Sequence, residues 1–184
     1  MTDSLKENGF RVTLWIHPFI NKPCEPYYSD AKNKGYFVQS HDGSVDTQWW
    51  NSQTGQASYV DFTKTAAAEW FTNRLKLLQT NAGIDSFKFD AGESSWTPPD
   101  PILNATSKEI PHKITIDYVK TVSKFGPLVE LRSGQFTQEL PVFVRMIDKD
   151  SVWTMNNGLP TLITTLLQVL IHYIMSSYTY LNLL

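Results

Sequence analysis

The sequence predicts an α/β fold in which parallel strands lie at the centre and helices pack on the outside. Two observations support it: segments with strand-like and helix-like apolar patterns alternate along the chain, and polar residues follow the strands where they end. Such alternation is typical of parallel strands joined by right-handed crossovers. A (β/α) barrel and an open doubly wound sheet both satisfy it, and both bind ligands at the carboxyl ends of their strands.

The first predicted strand lies in residues 9–19, a mostly apolar run that ends beside a proline. A run of this kind is typical of a strand buried on both faces of a parallel sheet. Residues 22–58 follow it and are rich in Pro, Gly, Asp and aromatic residues. They are long for a connection, which indicates a functional loop.

A helix is predicted after Asp61, where a run without Gly or Pro begins and apolar residues recur every three or four positions. The residues on its apolar face are Ala67, Phe71, Leu75 and Leu78. After a turn at residues 81–83, residues 84–90 form a short strand that ends in Asp90. The helix is therefore expected to pack on the sheet and to connect two parallel strands.

A second helix is predicted around residues 114–124 and a third strand over residues 127–132. A loop with four prolines, residues 94–112, precedes this helix. Because the carboxyl ends of parallel strands meet at one edge, we expect the polar residues that follow the strands to lie together. These residues are His17, Asp90, Glu93 and Arg132.

Composition narrows the possible functions. The 184 residues carry a net charge of −2, with 41% hydrophobic and 18% charged residues. The lack of a cationic excess argues against a nucleic-acid partner, and the apolar content excludes a disordered chain. A single cysteine, Cys24, excludes an internal disulfide. Aromatic residues make up 13%, and their flat rings suit sugars as well as protein cores.

Both ends of the sequence are distinctive. Residues 1–8 lack the cationic and apolar regions of a signal peptide. Residues 151–184 contain no Asp, Glu, Lys or Arg, although Gln168, His172 and Asn182 interrupt their apolar runs. A membrane-spanning helix needs about 20 mostly apolar residues. We therefore expect a buried helix and strand here in preference to a membrane span.

Asp90 and Asp148 are the candidate catalytic residues. Asp90 ends a strand beside Lys88, a cation that would keep the carboxylate ionised and competent as a nucleophile or base. Apolar neighbours of Asp148 would favour its protonated form and thus acid chemistry. Two carboxylates in unlike surroundings are what glycoside hydrolysis requires. Position alone leaves a structural capping role equally open for Asp90.

Two other functions remain open from the residues alone. Asp148 and Asp150 form an Asp-x-Asp pair, which in a metal-dependent glycosyltransferase holds a divalent ion together with phosphate. The Trp-rich loop would also suit a carbohydrate-binding protein without catalysis. The four histidines lack zinc-ligand spacing and no Gly-rich nucleotide motif is present, so no cofactor is expected.

Four segments together resemble glycoside hydrolase family 31. Residues 87–93, FKFDAGE, resemble the nucleophile segment of that family, and residues 145–153, RMIDKDSVW, resemble its acid/base segment. Residues 9–19 are similar to the strand that precedes the nucleophile strand. Residues 49–51 with residues 60–63 are similar to a family loop and the start of the following helix. The resemblance runs from about Gly9 to Leu167.

This resemblance implies a retaining α-glycosidase on a (β/α)8 barrel, with Asp90 as nucleophile and Asp148 as general acid/base. Within the family, the segments look like those of one branch, for which the resemblance implies α-galactosidase activity and an α-glycoside substrate. Trp50, Lys88 and Arg132 would contact the sugar, and no metal is implied. The resemblance also implies an endoplasmic reticulum enzyme held by an N-terminal membrane anchor.

The chain departs from the family in extent. A (β/α)8 barrel needs roughly 200 residues or more, and only three predicted strands precede the acid/base segment. We therefore predict a partial barrel, about half of the whole, as a glycosidase catalytic domain in residues 1–167. Residues 168–184 are predicted to form a divergent apolar C-terminal tail. An unclosed barrel would impair the activity of the isolated chain.

Overall fold

The structure is a computed structural model that describes residues 1–47, 49 and 57–167. In chain order its helices and strands are α1 (Thr2–Glu7), β1 (Thr13–Ile16), β2 (Phe19–Asn21), α2 (Tyr27–Asn33), β3 (Gln39–Ser40), β4 (Ala57–Tyr59), α3 (Thr65–Ala82), β5 (Ser86–Phe89), β6 (Pro101–Ile102), α4 (Ile110–Val122), β7 (Glu130–Leu131) and β8 (Phe143–Val144). Short 3₁₀ turns lie at Ser94–Trp96, Ser123–Phe125 and Leu159–Thr161.

The centre of the fold is a four-stranded parallel sheet in the order β1-β5-β7-β8. Its strands follow one another in space as they do in sequence, as expected for successive β/α units of a barrel. The register places four residues side by side on one face, which we call the inner face. They are Trp15, Lys88, Glu130 and Phe143.

The hydrophobic core lies on the opposite, outer face of the sheet, under helices α3 and α4. Phe87, Phe89 and Leu131 point outward and are completely or almost completely buried. The helices cover them with apolar residues spaced by three or four positions. These are Ala67, Phe71 and Leu75 of α3, and Ile114, Tyr118 and Val122 of α4. This confirms the predicted helix-on-sheet packing, although Leu78 stays partly exposed at the rim.

The expectation that the first strand is buried on both faces is wrong. Three of the four residues of β1 are exposed and the fourth is half-buried. Among the described residues β1 pairs only with β5, so one of its edges has no neighbouring strand. The inner face is also open, since Phe143 keeps 64% of its surface exposed. The described residues thus bury less of the apolar surface of β1 than its sequence led us to expect.

The structure adds elements that the sequence patterns did not predict. Strand β8 has only two residues, too few to show an apolar period. Between β1 and α3 lie α2 and the antiparallel pair β2–β4, and β3 of the same region pairs with β6, which follows β5. Helix α4 begins at Ile110, four residues early, because Pro111 is tolerated in a first turn.

Within the described part of the chain, no helix combines the length and apolar character needed to cross a membrane. Residues 168–184 lie outside the described residues, so the division of the chain at residue 167 stays a prediction.

Candidate active site

The carboxyl ends of the four parallel strands bring the charged residues together. Asp90 follows β5, Arg132 follows β7 and Arg145 follows β8, each one position beyond a residue that points to the outer face. Side chains alternate along a strand, so these three point to the inner face at the same edge. The site therefore arises from strand register, as a barrel predicts.

Asp90 accepts hydrogen bonds and ion pairs on both carboxylate oxygens. Trp15 Nε1 donates to Oδ2 at 2.9 Å. The backbone N–H of Ala91 donates to Oδ1 at 2.9 Å, while Arg145 Nη2 and Arg132 Nη1 lie 3.0 and 3.2 Å from the same oxygen. The side chain keeps only 8% of its surface exposed.

These donors determine the charge of Asp90. Burial alone would raise the pKa of its carboxyl group. The hydrogen bonds from Trp15 and Ala91 and the positive charges of Arg132 and Arg145 oppose burial and leave the pKa below its ordinary value. Asp90 is therefore an anion at neutral pH, as the sequence led us to expect. The cations responsible are the two arginines, not Lys88, which pairs with Glu130 at 3.6 Å.

Arg132 is fixed by a second carboxylate. Its Nε and Nη2 atoms contact the two oxygens of Glu93 at 2.8 and 3.2 Å, a bidentate pair. Trp96 Nε1 donates to Glu93 Oε2 at 3.0 Å. Glu93 thus orients Arg132 towards Asp90, and only 8% of the Arg132 side chain is exposed.

The backbone that carries Asp90 is tied to α4 and to the loop after β7. Tyr118 OH donates to the carbonyl oxygen of Asp90 at 3.1 Å, and Ser133 Oγ donates to that of Ala91 at 2.9 Å. Thr115 Oγ1 donates to the carbonyl oxygen of Gly92 at 2.8 Å. Three successive carbonyl groups are satisfied, which holds the Asp90 side chain in one direction.

Asp148 lies in more open surroundings. Its side chain keeps 84% of its surface exposed, and Arg145 Nη1 contacts its Oδ1 at 3.0 Å. The expected enclosure of Asp148 by apolar neighbours is therefore wrong for the described residues. The open position leaves room for a ligand to reach the carboxylate.

Arg145 connects the two candidate catalytic residues. One end of its guanidinium contacts Asp90 and the other contacts Asp148, while Nε lies 3.3 Å from Glu130 Oε1. The contacted oxygens of Asp90 and Asp148 thus lie within about 8 Å of each other, because both touch one planar guanidinium. This limit admits the separation of about 5 Å of a retaining glycosidase and also the shortest separations, about 6.5 Å, of an inverting one.

An aromatic wall borders the site on the β1 side. The His17 ring lies 4.6 Å from that of Trp49 and 4.9 Å from that of Trp15, centroid to centroid. Burial lowers the pKa of His17 to about 4, although the charge of Asp90 opposes the shift. His17 is thus neutral at physiological pH. Trp49 is 1% exposed, and Trp50 lies outside the described residues.

A cavity of about 360 Å³ opens next to the arginines. Glu93, Arg132, Arg145 and Met146 contribute to its wall, whereas Asp90 and Asp148 do not. Its volume falls within the range of small-molecule sites. The cavity therefore lies beside the candidate catalytic residues and is lined by the arginines that hold them.

The residues that sequence reasoning missed are Arg145, Glu130 and Trp15 as partners of the site. Arg145 lies three residues before Asp148 in the segment that carried the family resemblance. The strand before it has only two residues, so no apolar pattern predicts that a strand ends there. The pairing of Glu130 with Lys88 and Arg145 depends on sheet register. No local pattern signals such a pairing.

The Asp-x-Asp hypothesis gains no support from these contacts. Asp148 is paired with the Arg145 guanidinium, a cation that would repel a divalent ion. In the ranges that the structure describes, no group of three or more His, Cys, Asp or Glu side chains is arranged to hold a metal.

A parallel β/α sheet that presents two carboxylates, with Arg145 between them, at its carboxyl edge is the arrangement of a barrel-type catalytic domain. Paired carboxylates at this edge are the machinery of glycoside hydrolysis. Residues 1–180 match the family described as "Glycosyl hydrolases family 31 TIM-barrel domain". The chain belongs to glycoside hydrolase family 31, and its fold is part of a (β/α)8 barrel.

Two curated proteins are similar to the chain. The chain is 36% identical over 167 residues to the myogenesis-regulating glycosidase of Mus musculus, which covers 90% of this chain and 23% of that protein. It is 44% identical over 89 residues to an alpha-xylosidase of Emericella nidulans, covering 48% of this chain and 11% of the relative. The mouse protein confirms the family branch that the motifs resemble.

A solved structure confirms the fold. A family 31 sulfoquinovosidase from E. rectale superposes with a TM-score of 0.71 at 21% identity, over 92% of this chain and 26% of that chain. The chain thus spans about a quarter or less of these relatives. The roles of the individual site residues stay predictions.

Proposed function

We propose that the protein carrying this chain is a retaining α-glycoside hydrolase, with Asp90 as nucleophile and Asp148 as general acid/base. The observation that carries the proposal is the bridge of Arg145 between these two carboxylates at the carboxyl edge of the sheet. The carboxylates differ as the reaction requires, because Asp90 is buried and ionised whereas Asp148 is open to a leaving group.

In the first step, an oxygen of Asp90 attacks the anomeric carbon while the glycosidic C–O bond breaks. Asp148 transfers its proton to the departing oxygen. Asp90 Oδ1 already has three donors and Oδ2 only Trp15, so Oδ2 is the better placed attacking atom. The product of this step is a glycosyl ester of Asp90.

In the second step, water attacks the same carbon. Asp148, now a carboxylate, takes the proton of the water, and the ester bond to Asp90 breaks. Two inversions give net retention. The half-buried, neutral His17 and the buried Trp49 ring would limit water on the opposite side of the site.

The proposed substrate is a terminal α-galactoside. Support comes from the resemblance of the segments around Lys88, Arg132 and Asp148 to one family branch and from the 36% identity to the mouse glycosidase. Lys88, Arg132 and Trp50 would bind the sugar, the first two by donating hydrogen bonds to its hydroxyl groups and Trp50 by stacking. An endoplasmic reticulum location with a membrane anchor is proposed on the same resemblance.

The sugar is tested with aryl α-galactoside, α-glucoside and α-xyloside under identical conditions. We expect the galactoside to give the highest kcat/KM in the full-length protein that carries this chain. A preference for xyloside, which the name of the second relative suggests, would overturn the galactoside assignment while leaving the reaction type intact.

The carboxylate roles are tested with Asp90→Asn and Asp148→Asn. Asp90→Asn should abolish turnover while the fold persists, because Arg132 keeps Glu93 and Arg145 keeps Glu130 and Asp148. Asp148→Asn should lower turnover by about 10²- to 10⁴-fold. Asp117→Asn, on α4 and paired only with Lys113 among the contacts described, is the matched control. Unimpaired hydrolysis in either site variant would refute the assignment.

A further inference from the structure

Arg145 makes two ion pairs whose partners exchange roles during the proposed reaction. Its Nη2 lies 3.0 Å from Asp90 Oδ1, and its Nη1 lies 3.0 Å from Asp148 Oδ1. The donors sit at opposite ends of a rigid fork, so contact with one carboxylate does not compete with contact with the other. Arg145 is the residue that contacts both carboxylates in the described part of the chain.

The negative charge on the two carboxylates moves during the cycle but keeps its size. The first step requires Asp90 as an anion and Asp148 in its protonated form. After it, Asp90 is a neutral ester and Asp148, having lost its proton to the leaving oxygen, is the anion. The water attack reverses this: Asp148 takes a proton and Asp90 regains its charge as the ester bond breaks.

We propose that Arg145 is a positioning residue that stabilises Asp148 as a carboxylate in the glycosyl-enzyme intermediate and thereby promotes the second, hydrolytic step. The inference rests on the proposed function. When Asp90 becomes an ester, Arg145 loses its buried anionic partner and its charge acts on Asp148. The base form of Asp148 is then favoured at the stage that needs it.

Arg132 does not serve this purpose, although it also contacts Asp90. Two of its nitrogens are occupied by Glu93 and the third contacts Asp90, so its charge acts on Asp148 only from a distance, without an ion pair among the described contacts. Arg145 in turn is anchored by Glu130 through Nε, which leaves both Nη groups directed at the two catalytic residues. The exposed pair with Asp148 is weak while water surrounds it, and a bound sugar that excludes water strengthens it.

The test uses Arg145→Gln and Arg145→Lys in the full-length protein, with a 2,4-dinitrophenyl α-galactoside as substrate. Its leaving group needs little protonation, so the second step limits turnover and the first appears as a burst of dinitrophenolate. We expect Arg145→Gln to keep the burst and to lower the steady rate by about 10- to 100-fold, less than loss of Asp148 itself. Arg145→Lys keeps the positive charge but not the forked guanidinium group. Its steady rate should therefore lie between those of the wild type and Arg145→Gln.

Azide provides the decisive readout. It is an anion that attacks the glycosyl-enzyme without general base help, so it should restore the turnover of Arg145→Gln and yield a glycosyl azide. Arg11→Gln, which removes an exposed arginine at the other end of β1, should behave as wild type. Thermal unfolding is measured for every variant. If Arg145→Gln does not fold, the steady rate and azide response of Arg145→Lys test the inference instead.

Three outcomes would overturn the inference: unchanged steady turnover, loss of the burst in proportion to turnover, or no acceleration by azide. A wild-type protein that turns over none of the three aryl α-glycosides would instead refute the proposed function, together with this inference. The two failures are therefore distinguishable in one set of measurements.

Discussion

Asp90 is surrounded by donors that belong to separate strands. Trp15 lies in β1, while Arg132 and Arg145 follow β7 and β8. Each donor favours the carboxylate form, and together they outweigh the cost of burying the charge. At the residue scale, the Ala91 N–H is the local donor to Asp90, and the indole and both guanidinium groups that hold the anion come from other segments of the sheet.

The lowered pKa of Asp90 makes a prediction for acid stability. Since the folded pKa lies below the ordinary value of 3.8, Asp90 adds stability that is fully present above about pH 4. This contribution is lost as pH falls through the folded pKa. Urea unfolding should therefore find Asp90→Asn less stable than wild type at pH 5, with a smaller difference at pH 3. An equal difference at both values would contradict this.

The fold keeps His17 neutral, whereas it keeps Asp90 charged. The pKa of His17 is about 4 in the fold and 6.5 ordinarily, so the unfolded chain binds a proton first as pH falls. The free energy of unfolding should drop between pH 6.5 and 4 by up to about 3 kcal/mol from this residue. His17→Gln does not titrate and should flatten that drop in urea unfolding, whereas His41→Gln, at an exposed position, should not.

At the scale of elements, the loop after β5 is as important as the strand. Gly92 has φ +98°, and a Cβ added there would overlap the Tyr118 ring and the Ser133 hydroxyl. Both neighbours hold carbonyl groups of the loop that carries Asp90. A glycine is therefore needed both for the backbone angle and for the close approach of α4.

Gly92→Ala should destabilise the fold more than Gly126→Ala does. Gly126 has a similar φ of +102°, but an added Cβ would meet nothing within 4 Å. Backbone strain should cost about 1–3 kcal/mol at either position, and overlap should add about 1–3 kcal/mol at Gly92 only. Chemical denaturation measures both. If the two variants lose equal stability, the close packing at Gly92 is not what requires glycine.

At the scale of the whole molecule, the two faces of the sheet contribute differently to the free energy of unfolding. The outer face carries the core beneath α3 and α4, whereas the inner face carries the charged residues and leaves Phe143 exposed. The outer face accordingly stabilises the chain, and the inner face serves the site.

Phenylalanine truncations on the two faces test this division in the 184-residue chain. Phe87→Ala should cost about 3–5 kcal/mol, because the side chain is completely buried. Phe143→Ala should cost less than about 1 kcal/mol, because 64% of its surface is already exposed. Similar losses in urea unfolding would mean that the inner face also contributes a core.

The sequence by itself determined the order of three strands and two helices, the family, and the choice of Asp90 and Asp148 as candidate catalytic residues. These follow from apolar periods and from short contiguous segments, which are local properties. Strand β8 escaped prediction because two residues carry no period, and the burial of β1 was overestimated because composition does not say whether a strand has neighbours. Ordered motifs can thus place candidate catalytic residues without describing their surroundings.

Only the tertiary structure decided which cations hold Asp90 and what surrounds Asp148. Lys88, two residues from Asp90 in sequence, pairs with Glu130, while Arg145, 55 residues away, contacts Asp90 directly. The physical reason is strand register: in a parallel sheet, side chains from distant segments meet at one edge, and their charges act over that short distance.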